Sequence, residues 1–196
     1  MQALRSEDGV GFTLVALLTL PYIWLVWHHE FLPMQDLGGH IELSFLHDRL
    51  AARDPAYTPF YRVAPQPWPN SMSTLVLSVI GHVFGFEHGV RLLLCAYALA
   101  WPLSLAWLAK LLGRSPVVAL FAVPSILDFN WALGFFNYLL GKPLVIVCVC
   151  TAISFSRAPG VLGGALLIAS VWLAFLAHGL AYIICGVWAG LAVLCF

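Results

Sequence analysis

Charge is what this sequence has least of. Aspartate, glutamate, lysine and arginine make up 9% of its 196 residues, where a soluble domain carries about 25%, so a fold with a fully hydrated surface is excluded. Nine basic and nine acidic residues cancel to zero. The chain therefore lacks both the basic footprint that nucleic acid requires and a polybasic patch for anionic lipid. Cysteines number five, Cys95, Cys148, Cys150, Cys185 and Cys195. All lie in apolar runs rather than loops, and Cys148-Val-Cys150 lacks the spacing of a metal site. They read as small packing residues. No sequence repeat and no low-complexity tract is present. The first apolar run, Gly9 to Trp27, is longer than a signal-peptide core and is expected to stay in the mature protein. It ends in Trp24, Trp27, His28 and His29, the composition of an interfacial anchor.

What is abundant is hydrophobic sequence, at 62%. A helix that crosses a hydrocarbon core of roughly 30 Å needs about 20 residues. Apolar runs occur at 9–27, 90–109, 116–127, 138–156, 161–177 and 180–196. The expected fold is all-α, a polytopic transmembrane helical bundle of about six spans, forming a single membrane domain. The run at 116–127 is short and is expected to extend into the residues after it. Residues 28–89 form a loop with interfacial helices, whose polar part, 28–71, holds five acids (Glu30, Asp36, Glu42, Asp48 and Asp54), Arg49, Arg53 and Arg62, and half of the 12 prolines. The chain stops at Phe196 inside an apolar run, which predicts a product truncated at its C-terminus.

Topology turns on Met72–His88, which is apolar but short and interrupted by Gly81, His82 and Gly85. If it does not cross, Arg5, Lys110, Arg114 and Arg157 share one side, as the positive-inside rule favours. The N-terminus is then cytoplasmic, in a multi-pass protein of the cell (inner) membrane. Lys142, near the outer end of its span, counts against this arrangement. With it, Asp36, His40, His47, His82, Asp128, Asn130, Asn137 and His178 gather at the outer face, although none of them entered the charge argument.

Two stretches carry chemistry. The first is Gln35-Asp36-Leu37-Gly38-Gly39-His40, followed by a helical run over Ile41–Leu50. At about 100° per residue, His40, Ser44, His47 and Asp48 share one arc, so the helix is expected to lie flat on the membrane with that arc toward water. Gly38 and Gly39 disfavour an earlier start, which places Asp36 before the helix. Asp36 is either a simple cap, with His40 and His47 facing solvent, or a reacting carboxylate. The histidines do not make a metal site, since no HExxH is present and a seven-residue spacing suits a stripe better than a tetrahedral centre.

The second stretch runs from Asp128 to Gly141. Asn130, Gly134, Asn137 and Gly141 recur at one narrow face of a continuous helix. Such a seam is either a helix–helix contact, where small residues and asparagine serve packing, or the wall of a polar cavity with Asp128 at its mouth. A charge at the membrane centre costs about 2.5–3.5 kcal/mol, so Asp128 sits near the interface or has a partner. His178, beside Gly179, is a turn residue or a proton-handling group.

The order of these features resembles the N-terminal part of the GT-C superfamily of integral membrane glycosyltransferases, in outline the aminoarabinose and protein mannosyltransferases. The matching features begin with a first span and an outer loop with the early acid Asp36. Tyr57-Thr-Pro-Phe-Tyr-Arg62 and Pro65-Gln-Pro-Trp-Pro69 follow, then Gly85-Phe-Glu-His-Gly-Val-Arg91 leading into a span. The second acid, Asp128, follows a span containing Pro124. Asp36 departs from the pattern in having Leu-Gly-Gly-His after it rather than an adjacent acid. The resemblance implies transfer of a sugar from a polyprenyl-phosphate-linked donor to a lipid or glycan acceptor at the outer face, with membrane lipid as surroundings. It implies Asp36 as general base, Asp128 as a second catalytic acid, and Arg49, Arg53 or Arg62 on the lipid phosphate, with His178 beside them. His40, His47, Asn130 and Asn137 complete the candidate substrate-binding set. No cofactor is implied, and use of a divalent ion is left open. The rival classes are a transporter or channel, for which paired broken helices and internal symmetry are lacking, and a non-catalytic membrane subunit or assembly protein using the Asn–Gly seam as its interface.

Overall fold

Helices alone make up the regular structure. The computed structural model describes residues 2–64 and 68–195, with side chains from residue 8 onward. Within these, eight α-helices and one 3-10 helix follow in the order α1 (Gln2–His28), α2 (Leu37–Ala51), α3 (Met72–Phe84), α4 (Phe86–Leu111), the 3-10 helix (Pro116–Leu127), α5 (Phe129–Leu133), α6 (Phe136–Arg157), α7 (Val161–Ala177) and α8 (Gly179–Cys195). Four stretches are long and apolar enough to cross a membrane: Asp8–His28, Phe86–Leu111, Pro116–Leu133 and Phe136–Arg157. α7 and α8 have 17 residues each. At 1.5 Å per residue they reach about 25 Å.

Pro116–Leu127 shows how a short run gains length. A 3-10 helix rises about 2.0 Å per residue, so 12 residues extend roughly 24 Å instead of the 18 Å of an α-helix. Runs this long are uncommon in 3-10 form. Here α4 holds the segment from the side: Trp101 Nε1 donates to Ser125 Oγ at 2.9 Å and Tyr97 OH to the Ile126 carbonyl at 3.3 Å.

Contacts between helix ends set the direction of each rod. At one end, Lys110 pairs with Asp8 at 3.2 Å, Gly11 lies against Pro116, and Arg157 donates to the Leu111 carbonyl at 2.7 Å. At the other end, Arg91 donates to the carbonyls of Val26, His29 and Glu30, and Ser71 N–H bonds Leu176 O at 3.0 Å. α1, α4, the 3-10 helix, α6, α7 and α8 therefore alternate in direction. α3 begins at Ser71 beside the end of α7 and finishes where α4 starts, so it enters and leaves at the same end of the bundle. α2 packs on α3 there.

The interior of the second half is built from small residues. Cys148, Ala152, Ala174, Cys185, Ala189 and Ala192 fill the contact among α6, α7 and α8. The large side chains of these helices, among them Leu166, Ile168, Trp172, Ile183, Val187 and Trp188, face outward. Water would penalise such a surface, whereas lipid does not, and small residues at the seam let helices approach closely. Thr151 and Ser170 hydroxyls, 3.1 Å apart and buried, join α6 to α7. Cys148, Cys150 and Cys185 are fully buried and unpaired.

Three local expectations change. α2 begins at Leu37, so it includes Gly38 and Gly39. Glycine costs a helix about 1 kcal/mol each, and tertiary bonds at the helix start, described below, offset it. The polar arc does not face water either, because Ser44 is fully buried and His40 and His47 reach α3. The Asn130–Gly141 seam is not one helix face. Gly134 adopts φ of +77° and ends α5, and α6 begins afresh at Phe136. Only a residue tolerant of the left-handed region fits there, and a Cβ at this position would lie 3.0 Å from Asp36 N.

Candidate functional site

Most sequence-selected residues meet at the end of the bundle that carries α2, α3 and α5. The chain after α1 pairs with the short α5: Gln35 N–H bonds Ala132 O at 3.2 Å and Asp36 N–H bonds Leu133 O at 3.0 Å. These bonds satisfy C-terminal carbonyls of α5 that have no partner within the helix. Asp128 caps the opposite terminus of α5, its Oδ1 accepting from Trp131 N–H at 3.0 Å. The two acids thus flank a helix of five residues, about 7.5 Å long at 1.5 Å per residue.

Their surroundings differ completely. Asp128 Oδ2 accepts from Lys142 Nζ at 2.8 Å. The same ammonium donates to Tyr97 OH at 2.9 Å and lies 4.6 Å from the Trp101 ring centroid. Only 14% of the Lys142 side chain and 27% of that of Asp128 are exposed, so the acid is held by a partly buried partner rather than free in a cleft. Asp36 immediately precedes α2 and is exposed. Among the described residues its carboxylate makes no hydrogen bond or ion pair.

His40 stands one turn into α2. Its Nδ1 lies 3.2 Å from Ser73 Oγ of α3 and its ring packs on Phe136, with centroids 5.1 Å apart. Burial lowers its pKa below the ordinary imidazole value, against the opposing pull of the Asp36 carboxylate and of a backbone hydrogen bond at Gly134. The neutral ring is the favoured form. His47 makes the equivalent contact one step along, with Nδ1 3.2 Å from Ser78 Oγ.

A cavity of about 290 Å³ opens here, lined by His40, Asn70, Phe135, Asn137, Tyr138 and His178. His178 meets the Tyr138 ring edge-on, and its Nδ1 accepts from Leu180 N–H at 3.2 Å. α6 and α8 are brought together beside it at Gly141, where a Cβ would fall 3.0 Å from that of Ala181. Asn137 lines the cavity but is committed to the fold. Its Oδ1 accepts from Ser73 N–H at 2.8 Å and its Nδ2 donates to Asn70 O at 2.7 Å, tying α6 to the start of α3. Asn130 lies apart from the cavity lining, its amide 3.5 Å from Asp128 Oδ2.

The three candidate arginines are not brought together. Arg49 lies 3.7 Å from Asp54 and over the Phe45 ring. Arg53 sits in the turn after α2 with φ of +55°. Arg62 lines a larger groove of about 490 Å³ with His47, Trp68 and leucines of α2 and α3. Asn70 belongs to both this groove and the His40 cavity. Pro65, Gln66 and Pro67 of the proline-rich segment lie outside the described residues, as does the Arg5 side chain. No group of three or more potential metal ligands occurs among the described residues.

Lys142 and Arg91 were missed as organising residues. Lys142 is a single cation inside an apolar run, and an isolated intramembrane charge is itself a signal for a partner. Arg91 is buried and closes the C-terminus of α1, aided by Glu87 at 3.0 Å. Its cue was Glu87 four residues earlier on the same helix face. No protein-family model, curated protein or solved structure matches the chain.

Proposed function

We propose that this chain is a membrane glycosyltransferase-like protein, transferring a sugar from a polyprenyl-phosphate donor at the outer face of the cell membrane. The observation that carries the reading is the contrast between the two acids: Asp36 is an exposed carboxylate with no hydrogen bond or ion pair among the described residues, while Asp128 is held by Lys142. A general base must reach the acceptor hydroxyl within about 2.6–3.2 Å; Asp36 stands one helical turn before His40, which lines the cavity. The cavity lined by His40, Tyr138 and His178 would receive polar substrate, and Arg62 with His47 the lipid phosphate. A guanidinium's planar fork suits that group.

The reading takes the six alternating rods as crossings, with α2 and α3 at the outer end and the N-terminus in the cytoplasm. Lys110 and Arg157 then lie together on the inner side, as the positive-inside rule prefers. The test is transfer from a polyprenyl-phosphate sugar in reconstituted membranes. Asp36→Asn should lower turnover by about 10²–10⁴-fold, the usual contribution of a general base, while expression holds. Unchanged turnover removes the assignment.

A second reading, a non-catalytic membrane subunit, is favoured by one observation. Asn137, Arg91 and Lys142 all spend their polar groups on internal bonds, as a rigid platform would. In that case no transfer is measured, and substitutions on the exposed face of α2 release a partner protein.

A further inference from the structure

We propose that Lys142 is a positioning residue, whose ammonium, acting through Asp128 and α5, holds Asp36 and the start of α2 in place. The proposal rests on the reading above for what Asp36 does, but the clasp itself is defined by contacts.

The path is continuous. Lys142 on α6 is fixed from α4 by Tyr97 OH at 2.9 Å and the Trp101 ring at 4.6 Å. It holds Asp128 Oδ2 at 2.8 Å. Asp128 in turn caps α5 through Trp131 N–H. The last carbonyls of α5 receive the backbone N–H groups of Gln35 and Asp36. Gly134 closes the path, pressed against Asp36 N so closely that a Cβ would sit 3.0 Å away. Every link is a directional bond or a close contact, and α5 is only five residues long. A helix that short is marginal on its own, so its orientation is set by the packing of Trp131 in the core and by what holds its two ends. One end is the Lys142–Asp128 pair and the other is the Gln35–Asp36 backbone.

The ion pair has no other evident duty. It is costly to bury two charges, and packing alone would be served as well by apolar residues. What apolar residues would not supply is a fixed direction for the Asp128 carboxylate, and hence for the first turn of α5. An ammonium held by two further groups does supply it.

Hydrogen–deuterium exchange of the full chain in lipid nanodiscs tests this without any transfer assay. In Lys142→Met, exchange of the amides of residues 33–38 should accelerate at least tenfold more than that of the amides of α7 and α8. Lys142→Arg, which keeps the charge and its donors, should restore slow exchange at 33–38. Should Lys142→Met not fold, the neutral pair Lys142→Gln with Asp128→Asn takes its place, with the same local acceleration expected. Unchanged exchange at 33–38, or a uniform rise across all helices, overturns the proposal. If the exchange pattern holds but Asp36→Asn leaves transfer intact, the clasp stands and the catalytic reading of Asp36 falls.

Discussion

The two acids at the ends of α5 are chemically alike and only one short helix apart, yet the fold treats them in opposite ways. Asp128 is held by the Lys142 ammonium and the Trp131 N–H, and a phenol and an indole fix that ammonium in turn. The Asp36 carboxylate has no hydrogen bond or ion pair among the described residues and acts on His40 only through its charge. The clasped acid does structural work because both its oxygens are occupied. The open acid keeps its lone pairs for something that is not part of the chain. In a low-dielectric setting a charge without a partner is expensive, so an open carboxylate is affordable only at the hydrated rim where Asp36 sits.

Breaking the clasped side should have the largest effect on stability. Removing one partner of a fully buried ion pair costs about 3–5 kcal/mol; this pair is partly exposed, so Lys142→Met should lower the unfolding free energy in detergent by the low end of that range. The double variant Lys142→Met with Asp128→Asn should recover much of the loss, and a double-mutant cycle reads the coupling directly. Asn137→Leu comes next. It strips partners from Ser73 N–H and Asn70 O, at about 1–3 kcal/mol for each buried group left unsatisfied. Limited proteolysis between α2 and α3 should then accelerate.

The open side should respond to pH rather than to truncation. His40 has its pKa lowered by burial, so the unfolded chain binds more protons near the ordinary value of about 6.5. Stability should therefore fall as pH drops through that value and level off once the folded form is protonated as well. His40→Phe should flatten this dependence in a thermal-unfolding series between pH 7.5 and 5. The smallest effect on stability belongs to Asp36→Asn, within about 0.5 kcal/mol, as for a surface substitution away from any structural contact. A larger loss would mean that the side chain has a partner in the fold and would end the contrast between the two acids.

Several helix positions were legible in the apolar runs. The apolar run at 161–177 coincides with α7, and those at 138–156 and 180–196 fall almost entirely within α6 and α8. The short run at 116–127 does continue, through Asp128 into α5. Less legible was the site. Periodicity placed Asn130, Gly134, Asn137 and Gly141 on one face because it assumed an unbroken helix, and the left-handed Gly134 breaks that assumption. The arc of α2 looked destined for water because nothing local announces Ser73 and Ser78 as partners for His40 and His47. Lys142 looked like an exception to a charge rule, when its role is the pairing with Asp128.

By itself the sequence determined that the chain is helical and that several of its runs are long and apolar enough to cross a membrane. Those properties are local, set by hydropathy summed over about 20 neighbours and by proline and glycine at the breaks. Only the tertiary structure decided which polar groups satisfy one another, which acid is held and which is open, and that α3 returns to the end it came from. Those outcomes depend on directional bonds between residues far apart in the chain, such as the 14-residue step from Asp128 to Lys142 or the 64-residue step from Ser73 to Asn137. Spacing along a chain carries no information about such distant pairings until the helices have packed.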